Sequence, residues 1–222
     1  MTTLQSSPLP VPREQEPTAV EPVALKEWDL VCRLLLAGEQ VLLLRKGGIH
    51  EPHRGGFAVE HESFFLYPNT EHQQADLVQE RFRDRLVWPA PPAPAHETGI
   101  VQVPGFCRVV TVREVRQVRD PAVLAPLAAH TCWTQALFEQ RLRYKPERPL
   151  LAVVVRTYRL PQPVALPYHR AYAGCRSWVP LRDEVPASLV DQAEPVLDGV
   201  SFARNADQVL GMIDLIDRQD SR

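Results

Sequence analysis

Lysine is almost missing from this sequence. Only Lys26, Lys46 and Lys145 stand among its 25 basic residues, and the rest are arginine. Such a bias follows genome composition as readily as phosphate binding, so it names no ligand by itself. Cysteine is sparse as well. Cys32, Cys107, Cys132 and Cys175 form no C-x-x-C pair, which excludes a zinc knuckle and a thioredoxin-type redox pair. The longest apolar runs, residues 41–44 and 150–155, are far short of the roughly 20 residues that a membrane helix needs. The start, TTLQSSPLPVP after Met1, offers no secretory apolar core, and a cytoplasmic location with reduced thiols is expected. No G-x-G-x-x-G follows a strand pattern and there is no glycine-lysine-serine phosphate loop, so dinucleotide and P-loop folds are excluded. The acid two residues before a lysine that a restriction-type nuclease core requires is absent too: Ala24, Leu44 and Arg143 hold those positions.

What is present is enough for a packed fold. The chain has 222 residues, 45% hydrophobic and 23% charged, a length and composition that need no disulfide or metal staple. Its 22 prolines exceed the usual share of about 5% and favour strand ends and loops over a long helical bundle. A net charge of -2 hides an uneven distribution. Residues 101–182 carry 13 basic and 4 acidic side chains, whereas residues 183–222 carry 3 and 9. The positive middle either faces a polyanion or is covered by the acidic tail.

Residues 1–22, with five prolines, read as a disordered extension. Leu25, Trp28, Val31, Cys32 and Leu35 fall at helical spacing, and Gly38 is placed to end that helix. Residues 40–45 predict a buried strand, 46–56 a glycine-rich loop, and 57–68 a second strand stopped by Pro68. Thr70 and Gln73 form a capping-box pattern for a helix to Leu86, and 88–96 is a polyproline-like linker. Two strands with a bulge are expected over 99–118, and short helices after Pro121 and over 135–142. A central strand spans 150–160 and ends at the PQP of 161–163; a last core strand lies near Trp178, and two helices follow, the second after Asn205. This order suits an α+β fold, a small mixed or antiparallel β-barrel decorated with helices. The divisions expected are the extension 1–22, a domain over 23–182, and a C-terminal helical segment over 183–222 that packs on it.

Several segments resemble the uncharacterised domain-of-unknown-function family 1802: ALKEW (24–28), LLRKGGI (43–49), Tyr67-Pro68 with Glu71 to Gln73, and AGCRSW (173–178). A weaker resemblance links GEQVLLLR (38–45) to the G-x-K-x-x-E-x-R signature of ASCH domains, with Gly38 and Arg45 in place and Gln40 and Leu43 where the lysine and glutamate would stand. ERPLLAVVVRTYRLPQPVAL resembles the late strand of EVE domains. Both resemblances imply a PUA-like fold and binding of RNA, modified bases or nucleotide-like ligands in a cleft, with Arg45 as the carried-over binding residue. The missing lysine and glutamate argue against amide hydrolysis.

The candidate binding residues follow from residue chemistry. Arg45 and Lys46 lead into Gly47 and Gly48, a combination able to form an anion nest. Arg156 and Tyr158, then Arg170 and Tyr172, interleave guanidinium groups with rings suited to base stacking. The rival to ligand stacking is that these tyrosines are ordinary half-buried strand residues. His50, Glu51, His53, Glu60, His61 and Glu62 contain zinc-ligand types, but Pro52 prevents a helix from aligning the first two histidines. Cys175 lies six residues after His169, a spacing that does not establish a nucleophile pair. The expected function is binding of RNA or a nucleotide-like ligand in a cationic cleft, with no cofactor, no membrane and no defined protein partner. Alternatives are a metal-dependent hydrolase or nuclease, and a non-enzymatic interaction module that uses the proline-rich segments. Catalytic activity is left open.

Overall fold

The structure, a computed structural model, describes residues 20–46, 59–87, 99–115, 121–174 and 176–220. Most of the expected N-terminal extension, the loop 47–58, the linker 88–96 and Cys175 lie outside these residues.

The chain enters through a strand where the helical spacing predicted a helix. In β1 (Val23–Trp28) the side chains follow a two-residue period: Val23 and Leu25 join one core and Ala24 the other. The strand pairs parallel with β3 (Ser63–Asn69) from Ala24↔Phe65 to Trp28↔Asn69, and antiparallel with β6 (Trp178–Pro180). Helix α1 (Asp29–Leu36) begins where β1 stops, buries Leu30, Val31, Leu34 and Leu35, and is followed by Gly38 in the left-handed region at φ 70°, as expected. Strand β2 (Leu42–Arg45) matches the predicted buried strand.

Pro68 does not stop β3; it sits inside the strand opposite Glu27. The expected helix from Thr70 to Leu86 is replaced by a turn, a 3-10 segment Ala75–Leu77 and the short α2 (Glu80–Arg83). His72 has φ 61°, a conformation from which a right-handed helix cannot propagate. Gln73, instead of capping, donates from Nε2 to the Val87 carbonyl at 2.7 Å and accepts from the Leu30 N–H at 3.5 Å.

Strands β4 (Ile100–Val115) and β5 (Leu150–Pro167) form one long hairpin, paired from Ile100↔Pro167 to Val115↔Leu150. The bulge expected in this region is present twice, at Val103/Gly105 and Val109/Thr111. The first shift explains why 161–163 does not end β5: Val103 pairs with Val164 and Gly105 with Arg159, so the prolines fall where the ladder is interrupted. Between the strands lie a 3-10 segment Pro121–Leu124, α3 (Ala125–Ala128) and α4 (Gln135–Arg143), close to prediction. After β6 come α5 (Ala187–Asp191), the short β7 (Glu194–Pro195) on β5, and α6 (Gly199–Asp220), which starts before Asn205.

The α+β class and the mixed sheet are as expected. The strand order β2-β5-β4-β3-β1-β6, with β7 also on β5, has β2 and β6 at its ends, so the sheet does not close into a barrel. Two cores result. One gathers Phe64, Leu66, α1, and Val209, Ile213 and Ile216 of α6; the other gathers Phe65, Tyr67, Phe106, Leu160, Tyr172 and Val179. Each fully buried large apolar side chain contributes about 1.5–3 kcal/mol.

Candidate functional site

Because β1 and β3 run parallel, their C-terminal ends reach the same rim of the sheet. Lys26, Glu27 and Trp28 end β1, Tyr67, Pro68 and Asn69 end β3, and Arg45 ends β2. Two adjoining cavities open there. One, of about 260 Å³, is lined by Glu27, Trp28, Arg45, Lys46, Arg141 and Arg176 among others. The second, of about 300 Å³, is lined by Tyr67, Pro68, Thr70, Tyr168, Tyr172 and Ala173. Lys26, Asn69, Glu71 and Gly174 stand in both linings.

The first cavity is electrostatically unbalanced. Five cations (Lys26, Arg45, Lys46, Arg141 and Arg176) face two carboxylates, Glu27 and Glu71. Glu27, 8% exposed, is bound to Arg45 by an Nη1–Oε2 contact of 2.7 Å, and its Oε1 accepts the Trp28 N–H at 2.8 Å. Arg45 also donates to the Ser177 hydroxyl. Lys46 is buried, with its ammonium 3.2 Å from the Leu142 carbonyl, and burial holds its pKa below the usual lysine range. Arg141, on α4, has an Nε that is sealed from water and has no hydrogen-bond partner. Burial lowers its pKa first, and the neighbouring Arg45 charge lowers it further.

The second cavity is aromatic. Tyr172 stands nearly at right angles to both Tyr67 (89°, centroids 6.3 Å apart) and Tyr168 (88°, 6.0 Å). Lys26 lies 5.3 Å from the Tyr67 ring centre and donates to the carbonyls of Tyr172 and Gly174 at 2.6 and 3.1 Å. Asn69 Oδ1 accepts the Glu71 N–H at 3.3 Å.

Of the residues singled out from sequence, Arg45, Lys46 and Tyr172 line these cavities. Gly47 and Gly48 lie outside the described residues. Arg156 and Tyr158 line neither cavity: Arg156 rests over Phe202 at 5.5 Å and Tyr158 at 5.9 Å, and Tyr158 stacks on Phe106 at 4.9 Å. Arg170, exposed in a 3-10 segment after β5, lines neither cavity. His50, Glu51 and His53 lie outside the described residues, while His61 is held by Glu21 at 2.6 Å and packs on Trp178. Among the described residues no group of three or more His, Cys, Asp or Glu side chains could hold a metal ion. His169 pairs with Asp183 at 2.6 Å.

Sequence reasoning missed Lys26, Glu27, Asn69, Glu71, Arg141 and Arg176. The helical spacing of Leu25, Trp28, Val31, Cys32 and Leu35 leaves Lys26 and Glu27 off the apolar face, whereas a two-residue period over 23–28 puts them at a strand end. Arg141 has no local signal, because α4 brings it to β2 only in three dimensions.

The chain is similar to solved structures of the ASCH protein of Zymomonas mobilis. The TM-score is 0.40 at 13% identity, covering 78% of this chain and 95% of that one. Two point variants of the same protein give 0.40 and 0.38, each at 12% identity. No curated protein matches the sequence. A family profile matches as well: that of the domain of unknown function DUF1802 runs over residues 24–208, from the first residues of β1 into α6, and takes in both cavities. The chain belongs to the DUF1802 family.

Proposed function

We propose that this protein binds RNA or a nucleotide-like ligand, phosphate first, in the cleft at the ends of β1, β2 and β3. The observation that carries this reading is the surplus of cations. Glu27 answers Arg45 and Glu71 stands in the same lining, which leaves Lys46 and Arg141, both largely withdrawn from water, together with Arg176. Burying cations without counter-charge is costly, and a phosphate ester supplies the missing charge along with acceptor oxygens that match a guanidinium fork. The unpartnered Nε of Arg141 favours the same reading. Arg156 shares that unpartnered Nε, but its guanidinium rests on two aromatic rings, whereas Arg141 has no such ring among the described residues. The proposed binding set is therefore Lys26, Arg45, Lys46, Arg141 and Arg176, with Tyr172 close by.

The test is filter retention of a labelled single-stranded RNA across a salt series. Retention at low salt is expected to fall as salt rises, with a logarithmic slope of about -0.7 for each phosphate contacted. Arg141→Gln is expected to weaken binding about tenfold, the loss of one charge-assisted contact. No retention at low salt, of RNA or of nucleotides, would overturn the reading.

A further inference from the structure

We infer that the ligand is a single phosphorylated nucleotide unit, with its base in the tyrosine cavity and its phosphate in the arginine cavity, and not an internal run of a longer strand. The inference rests on the cationic-cleft reading and adds the substrate class.

Three features carry it. First, the two cavities differ in chemistry and touch. One holds the surplus cations and the other three tyrosines, and the four residues common to both linings form the wall between them. A ligand that satisfies both must be anionic at one end and a flat ring at the other. Second, the rings are concentrated. Tyr172, itself fully buried, packs edge-on against both Tyr67 and Tyr168 within 6.3 Å, so the buried pair backs the half-buried Tyr168 and holds it as the one ring left open to a base. A protein that tracks a strand spaces its aromatic platforms along a groove, one per successive base. The volume agrees, since about 300 Å³ lies at the bottom of the range for small-molecule pockets and holds one base with its sugar. Third, Asn69 and Lys26 are placed at the junction. Lys26 is fixed there by two carbonyls. Asn69 uses Oδ1 on the Glu71 N–H, which leaves its amide nitrogen as a donor in the lining common to both cavities.

The same chemistry comes from a free nucleotide or from the phosphorylated end of an RNA, and the titration separates the two. Calorimetry is run on the full chain with inorganic phosphate, adenosine, uridine, their 5′-monophosphates, and one short RNA with and without a 5′-phosphate. The monophosphates are expected to bind about tenfold or more tighter than either inorganic phosphate or the nucleosides, the value of one stacked base. Tyr168→Ala is expected to remove the advantage over phosphate and leave phosphate binding intact; Tyr168 is only half-buried, and its backbone bond to the Gly99 carbonyl survives the change. Arg141→Gln is expected to remove the advantage over the nucleosides. Tighter binding of the free monophosphate assigns the site to nucleotides, and tighter binding of the 5′-phosphorylated RNA assigns it to chain ends; either supports the inference. If phosphate and RNA bind but monophosphates bind no tighter than phosphate and the 5′-phosphate makes no difference to the RNA, the inference falls and the cationic cleft stands. If nothing binds at low salt, both fall.

Discussion

Glu27 and Arg141 show two opposite ways in which a charged side chain serves this cleft. Glu27 is the counter-ion that makes burial of Arg45 tolerable, and both side chains are nearly closed off, at 8% and 14% exposure. Removing the carboxylate takes the counter-charge from a largely buried guanidinium. Glu27→Gln is therefore expected to lower stability by about 3 kcal/mol or more, read as a fall in the urea midpoint with the slope unchanged. Arg141 is the reverse case. It holds no ion pair among the described residues, and burial and Arg45 both disfavour its charge. Arg141→Gln is expected to leave the thermal midpoint unchanged or to raise it while ligand affinity falls. A structural arginine would lose stability and affinity together, so the split is the diagnostic result.

At the scale of elements, the hairpin of β4 and β5 sets the tolerances. Gly105 sits at the first register shift, where a Cβ would lie 2.3 Å from the Tyr158 carbonyl oxygen and 2.9 Å from Leu36. Backbone cannot yield as a side-chain tip can. Gly105→Ala is expected to cost more than about 2 kcal/mol, measured by chemical denaturation. Such positions also mark what the residues alone disclose. Val41 to Leu44 and the apolar run from Leu150 announced their strands, because each is flanked by breakers and too short for a buried helix. Residues 23–36 misled: Leu25, Trp28, Val31 and Leu35 satisfy a helical period although β1 ends and α1 begins inside the pattern, and only pairing with β3 and β6 decides the matter. The capping box at Thr70 failed for a similar reason, since Gln73 is drawn into bonds with Val87 and Leu30. Arg45 and Lys46, which the structure places in a cavity lining, stand out in the sequence because a cationic strand end is a local feature. The opposing wall, Arg141, Arg176 and Ser177, is assembled from positions roughly a hundred residues later.

For the molecule as a whole, the buried thiols determine behaviour in alkali. Burial raises the pKa of Cys32, of Cys107 to about 12, and of Cys132 further still; Tyr67 is raised for the same cause. In the unfolded chain these thiols ionise near 9.0, while in the fold they stay protonated. The folded state then binds more protons than the unfolded one, so stability is full below pH 9 and is lost as pH rises from 9 toward 12. Lys46, whose pKa is lowered by burial, works the other way and only moderates the decline. Denaturation midpoints measured between pH 7 and 11 are expected to fall above pH 9, and a flat profile would contradict this assignment. The sheet order has a consequence for synthesis. The first strand of the chain has β6 as its outer neighbour, and Arg45 reaches Ser177 just ahead of it. While a ribosome is still making the middle of the protein, β1 therefore waits with one edge bare. The nascent polypeptide completes this cleft only after residue 180 has cleared the exit tunnel, so products that stop short of β6 carry Arg45 and Arg141 without the wall that Ser177 supplies.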